Sequence, residues 1–333
     1  MTALAPAPAR PERGGDAGIS AHGRGTDVWG DRVFRSIALA AGLSVLAILA
    51  LIAFVMTKQA WPVFRAEGFR FVTSSTWDPT NSKFGALAFI YGTIVSSAIA
   101  IVFAVPLSLG IALFTTELAP RRMRKPVVYL VDLLAAIPSV VYGLWVLAVL
   151  VQPAQRAYQH VANTLGKVPG LTHIFGGQAS GRSFFTAGLV LAVMITPIAT
   201  SISREVLATV AQDDKNAALA MGATRWEMLR IAVFPRARSG LVGAVMLGLG
   251  RALGETIAVA LVIGSNHQIT SHLFKSGDSM AAVIAHEWGE GQSDPLHRAA
   301  LIGLAVLLFA FTIVINIAAR AIANRSRHTE ANA

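Results

Sequence analysis

The chain has 333 residues, of which 54% are hydrophobic and only 14% charged, and its mean hydropathy is +0.58. A soluble domain carries about 25% charged residues, so this composition points to a polytopic membrane protein. Cysteine is absent, which excludes disulfides and thiolate metal sites. Neither a G-x-x-x-x-G-K-[ST] phosphate loop nor a G-x-G-x-x-G turn opening a helix after a strand occurs, so no nucleotide is expected to bind this chain itself.

In chain order, residues 1–33 are rich in Ala, Pro, Gly and Arg, a make-up that reads as a disordered tail. A first membrane helix is expected over 34–57, where Ser36 to Thr57 carry no charge and exceed the length of a signal-peptide core. Further apolar runs follow at Phe84–Thr116, Leu133 to about Val151, Ser183–Ser203, about Ser239–Ile263 and Ala299–Ala319. Crossing a bilayer takes about 20 apolar residues, so the expectation is an all-α membrane protein with six transmembrane helices. Pro106, Pro138 and Pro197 each fall within a different run and are expected to kink it, either for packing or as hinges of a moving bundle.

Basic residues set the orientation. With the N-terminus in the cytoplasm, cytoplasmic segments hold 18 Lys and Arg against 9 in the opposite loops. Both termini, including a 322–333 tail, are then cytoplasmic, and the Arg121–Lys125 cluster sharpens the bias. The net charge of +10 thus reads as topology and contact with membrane lipid, with no nucleic acid implied.

The loop 204–238 separates the fourth and fifth runs. Ala217, Ala218 and Met221, then Trp226, Leu229 and Ile231, stand at helical spacing, with Gly222 between the two sets and Pro235 after the second. This predicts two short amphipathic helices joined at a glycine and ended by Pro235, forming a knob that fills a partner's groove.

The segment Asn216–Pro235 resembles the coupling motif of ABC-importer permeases: Ala217, Ala218, Gly222 and Pro235 fall in register, while Asn216 stands where the family has glutamate. Ala232 and Phe234 replace the family's aliphatic pair. Phe84–Pro120, "IPSVVYGLW" (Ile137–Trp145), "SREVL" (Ser203–Leu207) and "GRALGET" (Gly250–Thr256) resemble the permeases of the bacterial high-affinity phosphate importer, in its C-type form. The resemblance implies a type I ABC-importer permease fold over 84–321, in the bacterial inner membrane. It implies a homologous second permease, two copies of a cytoplasmic ATPase that bind the ATP and Mg, and an extracytoplasmic phosphate-binding protein. This chain would be a non-enzymatic subunit without a cofactor of its own. Coupling to the ATPase would fall to Ala217, Ala218, Met221, Gly222, Ala223, Trp226 and Pro235. Sulfate or molybdate are the alternative cargoes. A secondary anion transporter would need coupling-ion charges in several helices and would leave the 204–238 loop unexplained.

Arg251 and Glu255 put two charges inside the fifth apolar run. Arg251 lies about 12 residues, ~18 Å, along a helix that starts near Ser239, close to the bilayer midplane. Four residues apart on a continuous helix, the pair shares a face and can meet, while Gly250 and Gly254 allow close approach of another helix. That geometry predicts a helix buried within a bundle. Arg251 is expected to line the substrate pathway with its forked donors, and Glu255 to neutralise it when the path is empty. A register-fixing ion pair is the plainer alternative.

The remaining polar signals carry less. "AHEWGE" lacks the second histidine of a zinc signature, so no metal is expected at His286 and Glu287. His267, His272 and His297 are expected to face water, Trp61, Trp77 and Trp288 to anchor at membrane boundaries, and 278–288 to form a short helix at the outer surface.

Overall fold

The computed structural model describes residues 27–331, so most of the tail expected over 1–33 lies outside the described residues. Residues 27–54 form one compact unit and the chain from Val55 onward a second. The first is the leading stretch of α1 (Asp27–Glu67), almost all of it exposed. Helix is therefore already present at Asp27, inside the stretch expected to be a tail. Six helices among the described residues are long and apolar enough to cross a membrane: Trp29–Glu67, Leu87–Leu118, Ser139–Leu165, Phe184–Ala208, Arg225–Gly254 and Pro295–Ala318.

In the second unit, α2 (Arg70–Thr73) leads into a hairpin of β1 (Trp77–Asp78) and β2 (Lys83–Phe84), antiparallel with Trp77 opposite Phe84. The second span is α3 (Leu87–Leu113), which ends in a π turn at Phe114–Leu118. Next comes α4 (Arg121–Ala136), with a basic first turn and exposed Tyr129, Leu130 and Leu133. This is the make-up of a helix at the membrane–water boundary. Leu133–Ala136 thus belong to α4 and not to the third span, which is shorter at its start than expected. That span is α5 (Ser139–Trp145), a π turn at Val146–Leu150 and α6 (Val151–Leu165). Pro138 does not kink it: with φ −58° and ψ 139° it precedes the first turn, where its missing N–H costs no hydrogen bond. Pro106 and Pro197 lie inside continuous helices, each leaving the carbonyl four residues back without its helical donor.

After α7 (Thr172–Phe175), the fourth span is α8 (Phe184–Ala208), started by Ser183, whose hydroxyl accepts the Thr186 N–H. Its most apolar window is 67% buried against at most 33% in any other span, so α8 is the centre of the bundle. A β-carbon at Gly188 would overlap Ile99, so the glycine is what lets α3 lie against α8. The loop segment folds as α9 (Gln212–Ala220), α10 (Arg225–Met228) and a π turn at Leu229–Val233 that runs into α11 (Phe234–Gly254). The chain closes with α12 (Ile257–Ile263), α13 (Met280–Gly291) and α14 (Pro295–Ala331), the last running through most of the stretch expected to be a tail.

Three apolar clusters stack along the second unit. Ile99, Leu191, Ile195 and Val259 lie in the middle one, Leu207, Met228, Leu229 and Val233 in the one under the 204–238 loop, and Phe71, Phe84, Phe89 and Leu301 in the one at the opposite end. Gly188→Val is expected to force α3 and α8 apart at a cost of about 1–3 kcal/mol, read as a lower yield of folded protein and a lower melting temperature in detergent.

Candidate functional site

The fifth span does not run through. α11 stops at Gly254, Glu255 is extended (φ −70°, ψ 125°), and α12 restarts only at Ile257. Local chemistry makes the stop possible. Gly250 and Gly254 weaken the last turns, and the Thr256 hydroxyl donates to the Gly254 carbonyl at 3.2 Å, replacing the helical donor that carbonyl would have had. Because the break lies between them, Arg251 and Glu255 do not share a helix face, and no ion pair joins them among the described residues. The continuous helix and the paired charges expected from the sequence are both corrected by this break.

Arg251 instead lies on a face that the rest of the second unit leaves open. Gly243, Leu247, Arg251 and Gly254 follow one another along that face, all exposed, and a β-carbon at Gly243, Gly250 or Gly254 would meet nothing within 4 Å. The opposite face, Leu241, Ala244, Gly248 and Ala252, is buried, with Gly248 against Ile195 and Ala199 of α8. The expectation of a helix enclosed by its own bundle therefore holds for one face only. Arg251 stands in the last turn of α11 with the apolar α12 beyond it, and a guanidinium between two such segments is not stable against hydrocarbon, so this face belongs to a water-filled path or to a protein interface. A cavity of about 1250 Å³ between α3, the third span and α8 is lined by Pro106, Trp145, Tyr158 and Val193 with no charged side chain, and offers an anion nothing.

The 204–238 loop forms the knob expected of it, with a different inner anatomy. Gly222 turns the chain at φ 87°, a left-handed conformation that favours glycine. Thr224 then starts α10 with a reciprocal cap: its hydroxyl accepts the Glu227 N–H and the Glu227 carboxylate accepts the Thr224 N–H. Ala218 packs inward with Met228 and Leu229, and Ala223 is half-buried against them. Ala217 faces out, and Met221 and Trp226 are 81% and 64% exposed at the tip. Asn216 accepts a hydrogen bond from Gln212 at the surface (3.2 Å). Pro235 does not end the second helix; it stands in the first turn of α11, just past the π turn, where its missing N–H is tolerated.

At the opposite end, histidines expected to face water are drawn into a polar cluster. Asp278, with 1% of its side chain exposed, lies 3.6 Å from His267 Nε2 and 3.8 Å from His286 Nδ1. His267 Nε2 is also 3.5 Å from Glu287 Oε1. Glu287 Oε2 accepts from His297 Nε2 and from the Trp77 indole, both at 2.8 Å, and the buried His297 ring stacks on Phe84. Trp77 is therefore a buried donor and not a boundary anchor, whereas Trp61 and Trp288 stay exposed. His286 reaches α12: its Nε2 is 3.1 Å from the Ala260 carbonyl and must carry the proton, which leaves Nδ1 toward Ser265 and Asp278. Among the described residues no group of three or more such side chains is arranged to hold a metal ion.

Residues 104–328, a stretch with Arg251 and the whole knob inside it, match the family described as binding-protein-dependent transport system inner membrane component. The chain belongs to this family. Among its relatives in this transport family is the phosphate transport system permease protein PstC of Mesorhizobium japonicum, 43% identical over 291 residues, 87% of this chain and 89% of the relative. The protein of the same name from Haemophilus influenzae is 40% identical over 91% of this chain and 96% of its own length. PstC 2 of Mycobacterium tuberculosis is 43% identical over 88% and 92%. In fold the chain is similar to a chain of a bacterial alginate ABC transporter solved with its alginate-bound periplasmic protein (TM-score 0.57, 18% identity, 89% of this chain and 98% of that one). It is also similar to one of the MetNI methionine ABC transporter in inward-facing form (TM-score 0.52, 18% identity, 73% and 94%). The fold is thus the type I ABC-importer permease fold expected from the sequence, a multi-pass protein of the inner membrane.

Within this inner-membrane component, the histidine cluster at the end opposite the 204–238 loop is the part that composition and spacing missed. The only signal was the number of histidines between His267 and His297, three of which Asp278 and Glu287 gather. Asp278 holds the His286 pKa above the ordinary histidine value, against the opposing effects of burial and of Arg182. A raised pKa means that the His286–Asp278 contribution to stability is complete below the usual histidine pKa and is lost as pH rises through the raised value. The melting temperature of the detergent-purified protein is therefore expected to fall as pH is raised through the neutral range. His286→Gln should flatten that profile, as measured by thermal unfolding across a pH series.

Proposed function

We infer that this chain is the permease subunit of an ATP-driven importer that moves inorganic phosphate into the cytoplasm. The observation that carries the reading is its 40–43% identity to phosphate permeases along nine-tenths of its length. The geometry of the broken fifth span is consistent with it. Arg251 stands on an uncovered face between glycines, where a homologous second permease brings its own helix and the two enclose the path. A guanidinium offers phosphate planar, permanently charged, paired donors. Glu255, set apart from it by the break, is placed to limit how tightly an anion is held as it passes. Sulfate and molybdate present the same oxyanion chemistry, so choice among them rests mainly with an extracytoplasmic phosphate-binding protein.

The excess of Lys and Arg in the 204–238 loop and its partners puts the knob and both termini on the cytoplasmic side. Two copies of a separate ATPase bind ATP and Mg, and one of them takes the knob into a groove. Met221 and Trp226 are its anchors, Ala217 lies beside them, and Ala218, Ala223 and Gly222 shape the surface from beneath. The chain itself catalyses nothing and carries no cofactor. Its histidine cluster then faces outward, and its basic α4 lies against anionic lipid.

Reconstitution of all subunits in vesicles tests the whole reading: ATP-dependent phosphate uptake that vanishes without the ATPase is expected, and sulfate uptake at a comparable rate would overturn the cargo. Arg251→Ala removes charge-assisted hydrogen bonds worth about 1.5–3 kcal/mol, so uptake is expected to fall roughly ten- to a hundredfold while the subunits still co-purify. At the knob, Trp226→Ala deletes an exposed aromatic anchor worth about 2 kcal/mol, and ATPase affinity is expected to drop roughly thirtyfold in a binding titration.

A further inference from the structure

One buried charge pair lies outside everything assigned above. Lys215 of α9 places Nζ 2.6 Å from Glu117 Oε1, in the π turn that ends the second span; the side chains are 8% and 12% exposed. The residue before it, Asp214, pairs with Arg236 in the first turn of α11. Consecutive residues of α9 thus tie the knob to two different spans. The ties differ in kind. Asp214–Arg236 is open to solvent, with side chains 32% and 55% exposed, and such pairs contribute little. Lys215–Glu117 forms the wall between two cavities, one of about 550 Å³ toward Arg124 and Arg204 and one of about 190 Å³ toward Arg225 and Met228.

A buried ion pair gains little net stability over two packed apolar side chains, because both charges are desolvated. What it gains is register: apolar surfaces slide over one another at small cost, whereas a desolvated ammonium and carboxylate tolerate only the arrangement in which they meet. In this chain the pair stands where a cytoplasmic knob meets a membrane span, flanked by space on both sides. Neighbouring Asn216, at the motif's usual glutamate position, is spent on a hydrogen bond within α9.

We propose that Lys215 and Glu117 are positioning residues that transmit movement of the ATPase-seated knob to the second span. The proposal rests on the reading of the knob as the ATPase seat. It predicts that severing the pair separates ATP hydrolysis from transport without dismantling the complex.

The test uses the complete reconstituted transporter and measures ATP hydrolysed, phosphate taken up and subunit co-purification. Glu117→Gln and the apolar pair Lys215→Met with Glu117→Leu are expected to assemble and hydrolyse ATP. Phosphate moved per ATP should fall at least about fivefold, the low end of coupling between sites. The exchanged pair Lys215→Glu with Glu117→Lys is expected to recover most of the loss. A wild-type ratio in the apolar pair overturns the proposal, and so does failure of both the exchanged and apolar pairs to assemble, which would make the contact scaffold only. Absence of ATP-driven uptake in the wild-type complex would instead overturn the functional reading, so the two failures are distinct.

Discussion

Hydrocarbon offers no partner to a backbone N–H or carbonyl, so a membrane helix may stop only where protein or water takes over its freed groups. The break at Glu255 and Thr256 is the point at which this constraint shapes the second unit. One side of α11 is sealed against α8 through Leu241, Ala244 and Gly248, and the Thr256 hydroxyl satisfies the Gly254 carbonyl. The open side carries Arg251 and a run of glycines. A continuous helix would have put Glu255 beside Arg251 and cancelled its charge. The break leaves the guanidinium without an ion-pair partner among the described residues.

The two halves of the fifth span are tied at opposite ends. α12 is linked to α13 through the Ala260 carbonyl and His286, whose pKa Asp278 raises. α11 is linked to the knob through Arg236 and Asp214. Arg251 lies between these attachments, next to the two-residue break between α11 and α12. Both half-helices are thus held by directional polar contacts on either side of the same break. The apolar clusters on each side cannot supply this directionality, since dispersion and burial favour contact without fixing one arrangement.

Composition and hydropathy made the spans legible because burial in lipid is a property of local sequence. The knob was legible for a similar reason: Gly222 and the apolar spacing around it are local. Positions where two continuations are locally equivalent were not. Gly250, Gly254 and Thr256 permit a helix as well as a break, and the choice follows from what α8 covers and what it leaves open. The clustered histidines were misread because Asp278, which gathers two of them, is buried with its backbone against Gly92 of α3, far away in sequence. Trp77 and Glu287 meet across 210 residues and Lys215 and Glu117 across 98, distances over which no periodicity carries information.

The π turns explain why the knob can be anchored to two spans at once. One extra residue per turn rotates everything beyond it by roughly 100° about the helix axis. In the turn at Phe114–Leu118, the Ala119 N–H reaches back to the Phe114 carbonyl. Thr115 and Thr116 return their hydroxyls to the Ile111 and Ala112 carbonyls at 2.8 and 2.9 Å, satisfying groups the widened turn displaces. Without that rotation Glu117 would leave the face that Lys215 approaches. The turn at Leu229–Val233 does the corresponding work for α11. There the Phe234 N–H reaches back to the Leu229 carbonyl, and the next residue, Pro235, needs no donor of its own. Two displaced turns, each made tolerable by side chains without a competing demand, set α9 between the second and fifth spans. The buried Lys215–Glu117 pair then fixes its register there.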